Sequence, residues 1–353
     1  MEMSNVKEAP APLAADGQDA GGASFISGDL VQKFAAFAGL VALLIVFSIM
    51  AKGFASVTNM ISITIQTASI ALAGIGVTFV IITGGIDLSI GSVLALSGVV
   101  AGLLVKNAEV PVFIAFAIGV LMGMFCGFLN GAMVNYLRLP PFIATLGMMM
   151  IARGTGLLAT DARSIAGLPE STFGWLGNDA LFRTYRTLDN SMEVVGFQGI
   201  PYAVILMVIM AFLFHYILSS TKLGRYIYAV GSNEEATRLS GINVAKVKFA
   251  AYMICGGFAA MAGIVTMSRL VTVQPTAGVA FEMDAIASAV IGGTSLMGGV
   301  GTISGTIIGA FIIGVLRNGL NMLGVQGFVQ QIIIGLVIIV AVSVDQLRNR
   351  KKV

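Results

Sequence analysis

The sequence predicts an all-α membrane protein, a polytopic bundle of about ten transmembrane helices, some of them short or broken. Of its 353 residues, 57% are hydrophobic and only 10% are charged, whereas soluble domains carry roughly 25% charged residues. Long unbroken apolar runs recur along the chain, while a membrane β-barrel would show short alternating strands. The 44 glycines suit helices in lipid, where small residues let backbones approach closely.

The order of the apolar runs sets the predicted spans. Each run is compared with the roughly 20 apolar residues that a helix needs to cross a bilayer. The runs near 90–106 and 283–298 are short, which makes the total approximate. Together the runs form one transmembrane domain over residues 31–347. The predicted spans are 31–51, 61–83, 90–106, 111–137, 142–160, 200–219, 248–268, 283–298, 302–324 and 327–344.

The distribution of charge orients the bundle. The segment 220–248, here named the charged loop, is rich in lysine and arginine, and so is the C-terminal tail 348–353. Basic segments stay in the cytoplasm, which predicts that this loop and the C-terminus are cytoplasmic. Counting back through an even number of spans places the N-terminus there too. In the segment 161–199 the charges nearly cancel, which suits an external loop. Residues 1–30 lack the features of a signal peptide and are expected to form a disordered cytoplasmic tail.

Glycines spaced by four residues indicate where helices pack. This spacing places them on one helix face, which forms a groove for a neighbouring helix. We interpret them as packing residues, the alternative being that they line a path through the bundle. The two sets are Gly119, Gly123, Gly127 and Gly131 in one span, and Gly305 and Gly309 in a later one.

One pattern occurs twice in the chain. Residues 84–91 (GGIDLSIG) and 292–299 (GGTSLMGG) share the pattern GGxxLxxG, each ahead of an apolar run that contains serine and glycine. Membrane transporters are often built from structural repeats, and glycine-rich helices also produce such matches by chance. The pattern alone is compatible with both origins.

Polar residues at membrane depth are candidates for function. Residues 84–89 interrupt an apolar run and place Asp87 near the lipid, where an ionisable side chain suggests a functional role. Alternatively, Asp87 caps the next helix by accepting its free N–H groups. Amides and hydroxyls in other spans either hydrogen-bond between helices or line a wet pathway or gate. The candidates of this second kind are Asn130, Thr145, Asn318 and Asn321.

Three polar residues flank the start of the predicted span 283–298. They are Gln274, Glu282 and Asp284, and the predicted topology places them at the outer mouth. The two carboxylates suit the positive N-terminal end of a helix and are interpreted mainly as caps. The alternative is that these residues dock an external partner.

Several classes of protein are excluded by the composition. The sole histidine, His215, is poor material for a catalytic triad or a metal site. The GxxxxGK[ST] phosphate loop does not occur in the sequence, so we expect neither enzymatic activity nor ATP binding by this chain. A net charge of +3 is too small to suggest nucleic acid. Cys126 and Cys255 fall in apolar runs and are expected to be buried thiols.

The charged loop contains a predicted short helix. Glu234 and Glu235 at its start and Arg238 towards its end complement a helix dipole, and Gly241 suits a C-terminal cap. One interpretation is an ordinary solvated loop. The other is a helix that is presented to a cytoplasmic partner and passes motion to the adjoining spans.

Two levels of sequence pattern resemble a known family. Glu235-Ala236-Thr237, three residues and Gly241 resemble the EAA-x3-G loop by which permeases of ABC importers contact their ATPase subunits, with Thr237 where that pattern has alanine. Longer segments resemble permeases of the bacterial ribose, xylose, arabinose and galactoside importers, most closely the ribose type. They are ITGGIDLSIGSVLALSG (82–98), PPFIATLGMMMIARG (140–154), LGRYIYAVGSNEEATRLSGINVAKVK (223–248), QPTAG (274–278) and FEMDAIASAVIGGTSLMGGVGTISGTIIGA (281–310).

The resemblance, which covers residues 31–347, implies a function and partners. It implies a permease in the bacterial cytoplasmic (inner) membrane that moves ribose or a related monosaccharide inwards by alternating access. A separate cytoplasmic ATPase would hold ATP and Mg²⁺, so this chain is expected to carry no cofactor. A periplasmic sugar-binding protein and a second permease, identical or paralogous, complete the implied complex. The residues it assigns to ATPase coupling are Asn233, Glu234, Glu235, Ala236, Arg238 and Gly241.

Alternatives from other classes are kept. A permease for another small polar solute, such as a branched-chain amino acid, is related in type but lacks the sugar-group segments. An ion-coupled secondary transporter would need ionisable residues within the membrane, for which Asp87, Glu282 and Asp284 qualify. A non-transporting scaffold would tolerate charge reversal in residues 231–243.

Overall fold

A computed structural model of the chain describes residues 22–183, 185–188, 191–194 and 198–350. The residues that the structure describes are mostly helical, at 75%. The helices are α1 (Gly22–Met50), α2 (Val57–Ile82), α3 (Ile90–Asn107), α4 (Val112–Asn135), α5 (Pro141–Ala159), α6 (Glu170–Phe173), α7 (Trp175–Asn178), α8 (Tyr202–Ser220), α9 (Lys222–Ser232), α10 (Glu234–Leu239), α11 (Val244–Leu270), α12 (Phe281–Ile291), α13 (Ile303–Met322) and α14 (Gly327–Arg350).

Short strands occur between α7 and α8. Strands β1 (Ala180–Leu181) and β4 (Ile200–Pro201) form one antiparallel pair. Strands β2 (Tyr185–Leu188) and β3 (Ser191–Val194) form the other, in which Arg186 faces Glu193. Parts of the predicted external loop 161–199 lie outside the described residues.

Seven helices among the described residues are long and apolar enough to cross a membrane. They are α2, α3, α4, α5, α8, α11 and α13. The first and last predicted spans correspond to α1 and α14. The apolar parts of these helices are the shorter stretches Phe34–Met50 and Gly327–Val340. The predicted span 283–298 is instead the 11-residue helix α12, which ends before Gly292. By length and composition the described residues therefore contain seven candidate spans, whereas the sequence predicted about ten.

The ends of the bundle differ from the predicted tails. Helix α1 begins at Gly22, so residues 22–30 are helical rather than the disordered segment we expected. Residues 1–21, the rest of that prediction, lie outside the described residues. At the other end α14 continues to Arg350, which carries the start of the basic tail 348–353 on a helix.

Helices α2 and α11 form the centre of the bundle. Every residue of α2 from Thr67 to Ile82 is buried, and α11 packs against α2, α3 and α4. A helix that is apolar all round lies either inside the bundle or against lipid, and α2 takes the interior place. Large side chains such as Phe113 on α4, Leu158 on α5 and Phe212 on α8 are exposed, which suits helices that face lipid.

The close approach of α4 and α11 depends on glycine. A Cβ atom at Gly123 would overlap the carbonyl oxygen of Gly256, and one at Gly127 would overlap that of Tyr252. At Gly131 the neighbour is Phe249, and at Gly119 it is the carbonyl oxygen of Ser97 on α3. The glycine face of α4 therefore receives the backbone of α11 along most of its length.

Helices α12 and α13 meet in the same manner. A Cβ atom at Gly305 would overlap the carbonyl oxygen of Gly292, and one at Gly309 would overlap that of Ser288. Between the two helices the chain folds through residues 292–302 without regular structure. This segment joins α12 to α13 as the segment 83–89 joins α2 to α3.

The two copies of GGxxLxxG lie side by side. The N–H of Gly299 donates to the carbonyl oxygen of Ile82 over 2.9 Å, and Gly298 packs near the backbone nitrogen of Gly84. Each copy joins an incoming helix to an outgoing one at the same end of the bundle. This equivalence of place supports the interpretation of the pattern as a structural repeat.

The opposite end of the bundle is closed by the segment after α5. Ile165 pairs with Val273 in an antiparallel bridge, and Lys106 Nζ donates to the carbonyl oxygen of Ala166 over 2.7 Å. The N–H of Gly177 donates to Ser268 Oγ over 2.9 Å. The ends of α3 and α11 are thereby fixed on the side away from α10.

Candidate functional site

The short helix α10 is capped at both ends by its own sequence. Asn233 precedes it and its Oδ1 accepts a hydrogen bond from the N–H of Ala236 over 2.9 Å. At the other end Gly241 has a φ of +81°. The N–H groups of Gly241 and Ile242 bond back to the carbonyls of Arg238 and Thr237. This is the Schellman arrangement, in which glycine supplies the left-handed residue.

Charged side chains cover the surface of α10. Arg238 pairs with Glu234 at 3.0 Å and with Glu235 at 2.9 Å. Lys248 of α11 also contacts Glu234, at 2.6 Å. Glu235 and Arg238 are largely exposed, with 67% and 57% of their side-chain surfaces accessible. Exposed pairs contribute little to stability, so these two side chains are available to exchange partners.

Helix α9 connects α10 to the repeat segments. Tyr228 Oη donates to the carbonyl oxygen of Gly301 over 2.6 Å. Gly231 lies against the carbonyl oxygen of Ile82 and the backbone nitrogen of Gly299, and a Cβ atom there would overlap both. The absence of a side chain at Gly231 therefore lets α9 rest directly on the end of α2, just before the first copy of GGxxLxxG, and on the second copy.

A groove of about 930 Å³ lies beside α10. One wall comes from the connection between α4 and α5, including Arg138, and the other from α10 and the start of α11, including Glu234, Arg238 and Lys248. The groove joins a charged surface to the ends of two membrane helices. A partner that occupied it would touch α10 and the α4–α5 connection together.

Three predicted pathway residues come together at the break between α2 and α3. Asp87 is buried and its Oδ1 accepts from the N–H and the hydroxyl of Ser89, over 2.8 and 2.6 Å. Asn130 Nδ2 of α4 donates to Ser89 Oγ over 2.9 Å and to Asp87 Oδ2 over 3.4 Å. Thr145 Oγ1 of α5 contacts the carbonyl oxygen of Ile86. The cluster joins the break to α4 and α5.

The cluster around Asp87 is closed and incompletely paired. Asn130 and Thr145 have no exposed surface. The thiol of Cys255 on α11 lies close to Asp87. Among the described residues, Asn130 Oδ1 and the nearby Tyr252 Oη have no hydrogen-bond partner. Asp87 thus accepts hydrogen bonds from Ser89, the residue before α3, and not from the first N–H groups within the helix.

The other predicted pathway residues lie elsewhere. Asn318 Oδ1 on α13 accepts from Asn59 Nδ2 on α2 over 3.0 Å, near the bundle end opposite α10. Asn321 is exposed close to the end of α13. The structure therefore places Asn318 and Asn321 away from the cluster of Asp87, Asn130 and Thr145, so the five predicted pathway residues do not form one lining.

The predicted docking residues differ in accessibility. Gln274 is exposed and Glu282 is partly buried beside Arg153, which donates to the carbonyl oxygens of Pro275 and Ala277 over 2.8 and 2.6 Å. Asp284 is 3% exposed. It therefore presents no surface to an external partner, and its carboxylate instead forms an ion pair with a partner inside the chain.

That internal partner is Arg317, a residue that the sequence interpretation missed. Arg317 Nη2 on α13 contacts Asp284 Oδ2 at 2.7 Å. The pair borders a cavity of about 280 Å³ that also contains Gln66, Thr266 and Arg269. The signal was present in the sequence, because Arg317 is an ionisable residue within the predicted span 302–324.

Comparison with known proteins places the chain in a family. Residues 59–342 match the family described as the branched-chain amino acid transport system / permease component. The ribose import permease protein RbsC of Haemophilus influenzae is 42% identical over 330 residues, which cover 93% of this chain and 98% of the relative.

Two relatives from Escherichia coli strain K12 are also similar. The ribose import permease protein RbsC is 44% identical over 89% of this chain and 92% of the relative. The D-allose transport system permease protein AlsC is 38% identical over 90% of this chain and 93% of the relative. The chain thus belongs to the branched-chain amino acid transport system / permease component family of membrane transport proteins.

Proposed function

We propose that this chain is the membrane permease subunit of an ATP-driven importer of ribose or a closely related monosaccharide. The observation that carries the proposal is the capped helix α10, which directly follows α9, a helix that packs on the end of α2 and on the segment 292–302. Extensive similarity to permeases named for ribose and D-allose supports a sugar as cargo. The chain itself works without a catalytic centre, as a transport component.

The partners follow from this function. A cytoplasmic ATPase subunit binds ATP and Mg²⁺ and docks at the exposed face of α10, where Glu235 and Arg238 are accessible. A periplasmic sugar-binding protein docks at the opposite end, near Gln274. A second permease, identical or paralogous, completes the complex in the bacterial inner membrane. Both termini of each permease then lie in the cytoplasm, in keeping with the basic charged loop.

Transport proceeds by alternating access between two arrangements of the bundle. Movement of the ATPase shifts α10 and α9 together. Because Gly231 rests on Ile82 and Gly299, the shift reaches the two segments that join α2 to α3 and α12 to α13. ATP and the loaded binding protein supply the bias, since each has a different affinity for the two arrangements.

A branched-chain amino acid is the second candidate cargo. The family description that matches residues 59–342 names such substrates. The relatives that cover about nine-tenths of the chain are named for sugars, which makes a monosaccharide the better supported cargo. The two cargoes differ in chemistry, because an amino acid carries charges that a monosaccharide does not.

A competition experiment distinguishes the two cargoes. The chain is reconstituted in proteoliposomes with its ATPase, and a ribose- or leucine-binding protein is supplied outside. We expect ATP-dependent uptake of labelled ribose that excess unlabelled ribose abolishes and leucine leaves unchanged. ATP-dependent uptake of leucine, with none of any monosaccharide, would overturn the proposal.

A further inference from the structure

A polar cavity lies within the bundle at the end opposite α10. Four helices line it, with Gln66 and Ser69 on α2, Thr266 and Arg269 on α11, Asp284 on α12 and Arg317 on α13. Gln66 is nine residues past the start of α2 at Val57, a depth of about 13 Å at the rise of an α-helix. The cavity therefore reaches into the membrane-spanning part of the bundle.

The ion pair indicates that this face of the bundle borders a polar space. Arg317 lies inside the span α13, yet 34% of its side chain is exposed, while that of Asp284 is only 4% exposed. Charged side chains within membranes face the bundle interior or a water-filled cavity. Arg317 Nε, a buried donor, has no hydrogen-bond partner among the described residues. The guanidinium is held by Asp284 and borders the cavity.

The remaining lining suits an uncharged solute that is rich in hydroxyls. The hydroxyl oxygens of Ser69 and Thr266 lie 3.1 Å apart, and the amide of Gln66 stands half-buried on the same wall. Amides and hydroxyls both donate and accept, as the hydroxyls of a sugar require. Phe281 and Ile70 supply apolar surface against which the C–H groups of a sugar ring can pack.

We propose that this cavity is a contact site for the transported monosaccharide between its entry into the bundle and its release on the α10 side. Gln66 and Thr266 hydrogen-bond to sugar hydroxyls, and Asp284 positions the Arg317 guanidinium that donates to others. The proposal rests on the proposed function. Asp284 offsets the charge of Arg317, and a neutral sugar gains no ionic attraction from Arg269, which also lines the cavity. A transport path must release its cargo, so the site binds weakly.

The test removes an amide or a hydroxyl from the protein and single hydroxyls from the sugar. Variants Gln66→Leu and Thr266→Val remove the proposed contacts while keeping similar volume. Thr64→Val is the matched control, because Thr64 Oγ1 donates to the carbonyl oxygen of Ile61 on its own helix and does not line the cavity. Uptake of labelled ribose and of singly deoxygenated analogues is measured in proteoliposomes, at a saturating loaded binding protein.

We expect each cavity variant to lower ribose uptake by about three- to tenfold, the effect of losing one hydrogen bond, and Thr64→Val to leave it unchanged. The deoxy-sugar that lacks the contacted hydroxyl should then suffer no further penalty in that variant, because coupled groups are non-additive. Each analogue's uptake by a variant is divided by its uptake by wild type. Weaker capture of the analogue by the binding protein affects both rates equally and therefore cancels. ATPase copurification and ATP hydrolysis report whether each variant assembles.

Two contrary outcomes are separable. If wild type imports ribose and every analogue loses the same factor in wild type and in both cavity variants, the cavity is not a sugar contact and the proposed function survives. If wild type imports no monosaccharide with any sugar-binding protein, both the function and the cavity assignment fall.

Discussion

The Asp284–Arg317 pair combines burial with opposite charge inside a membrane helix bundle. Removing one partner from a buried pair leaves an uncompensated charge, whereas removing both leaves neutral groups. The carboxylate is the more deeply enclosed partner, at 4% exposure against 34% for the arginine. The loss of Arg317 is therefore the more damaging of the two single changes.

Arg317→Gln is expected to lower the free energy of unfolding by about 3–5 kcal/mol, because the buried Asp284 carboxylate loses its cation. The double variant Asp284→Asn with Arg317→Gln should recover most of this loss. Thermal unfolding in detergent, followed by tryptophan fluorescence or by solubility, measures the difference. A double variant as unstable as the sum of the single variants would contradict the pairing. If the cavity also binds sugar, the double variant recovers stability but not uptake.

Helix packing in this chain follows from where side chains are small. Along α4, the backbone of α11 fits against Gly123 and Gly127, and α2 is enclosed over its inner half. The two short helices α10 and α12 differ in what determines their length. Caps and charged pairs define α10, whereas α12 ends at a pair of glycines.

Gly123→Ala is expected to destabilise the bundle by about 2 kcal/mol or more, because the new methyl group overlaps the carbonyl of Gly256 and overpacking typically costs 1–3 kcal/mol. Gly147→Ala on α5 is the matched control, since a Cβ atom there meets nothing within 4 Å. The control is expected to be neutral or slightly stabilising, because alanine favours the helix. Equal midpoints of thermal unfolding for the two variants would show that the α4–α11 contact is looser than the structure has it.

The sequence predicts much of this architecture for identifiable reasons. Long apolar runs require helices, and the regular spacing of Gly119 to Gly131 places glycine on one face. The same reasoning overestimates α12, because an apolar run through residues 283–298 looks continuous although Gly292 and Gly293 allow the chain to turn. Local patterns also cannot show that Asp284 and Arg317, 33 positions apart, meet across two helices.

The candidate site divides in the same way. The caps of α10 are local, so Asn233 and Gly241 are readable from the sequence. The gathering of Asp87, Asn130 and Thr145 depends on how three helices cross, which spacing along one helix does not determine. The contact of Gly231 with Ile82 and Gly299 is likewise a tertiary feature, and only the duplicated GGxxLxxG pattern hinted at it.

At the scale of the whole molecule, Gly231 on α9 links the surface helix α10 to two helix pairs, α2 with α3 and α12 with α13. Gly231→Ala places a methyl group against the carbonyl of Ile82, so α9 must move away from the repeat segments. ATPase binding through α10 should persist, while ribose uptake falls more than tenfold. Tyr226→Phe on the more exposed side of α9 is the control and should transport like wild type. Copurification of the ATPase together with uptake rates measures both effects, and wild-type uptake by Gly231→Ala would exclude transmission through this contact.

The most direct test is ATP-driven accumulation of labelled ribose by proteoliposomes that contain the chain, its ATPase and its binding protein, with Glu235→Arg in parallel. Glu235 is 67% exposed, so the reversal should change stability little but place like charges beside Arg238. We predict that wild type concentrates ribose only with ATP, and that the variant remains assembled in the membrane but does not accumulate it. Accumulation by wild type without ATP, or equal accumulation by the variant, would contradict coupling of an ATPase to transport through α10.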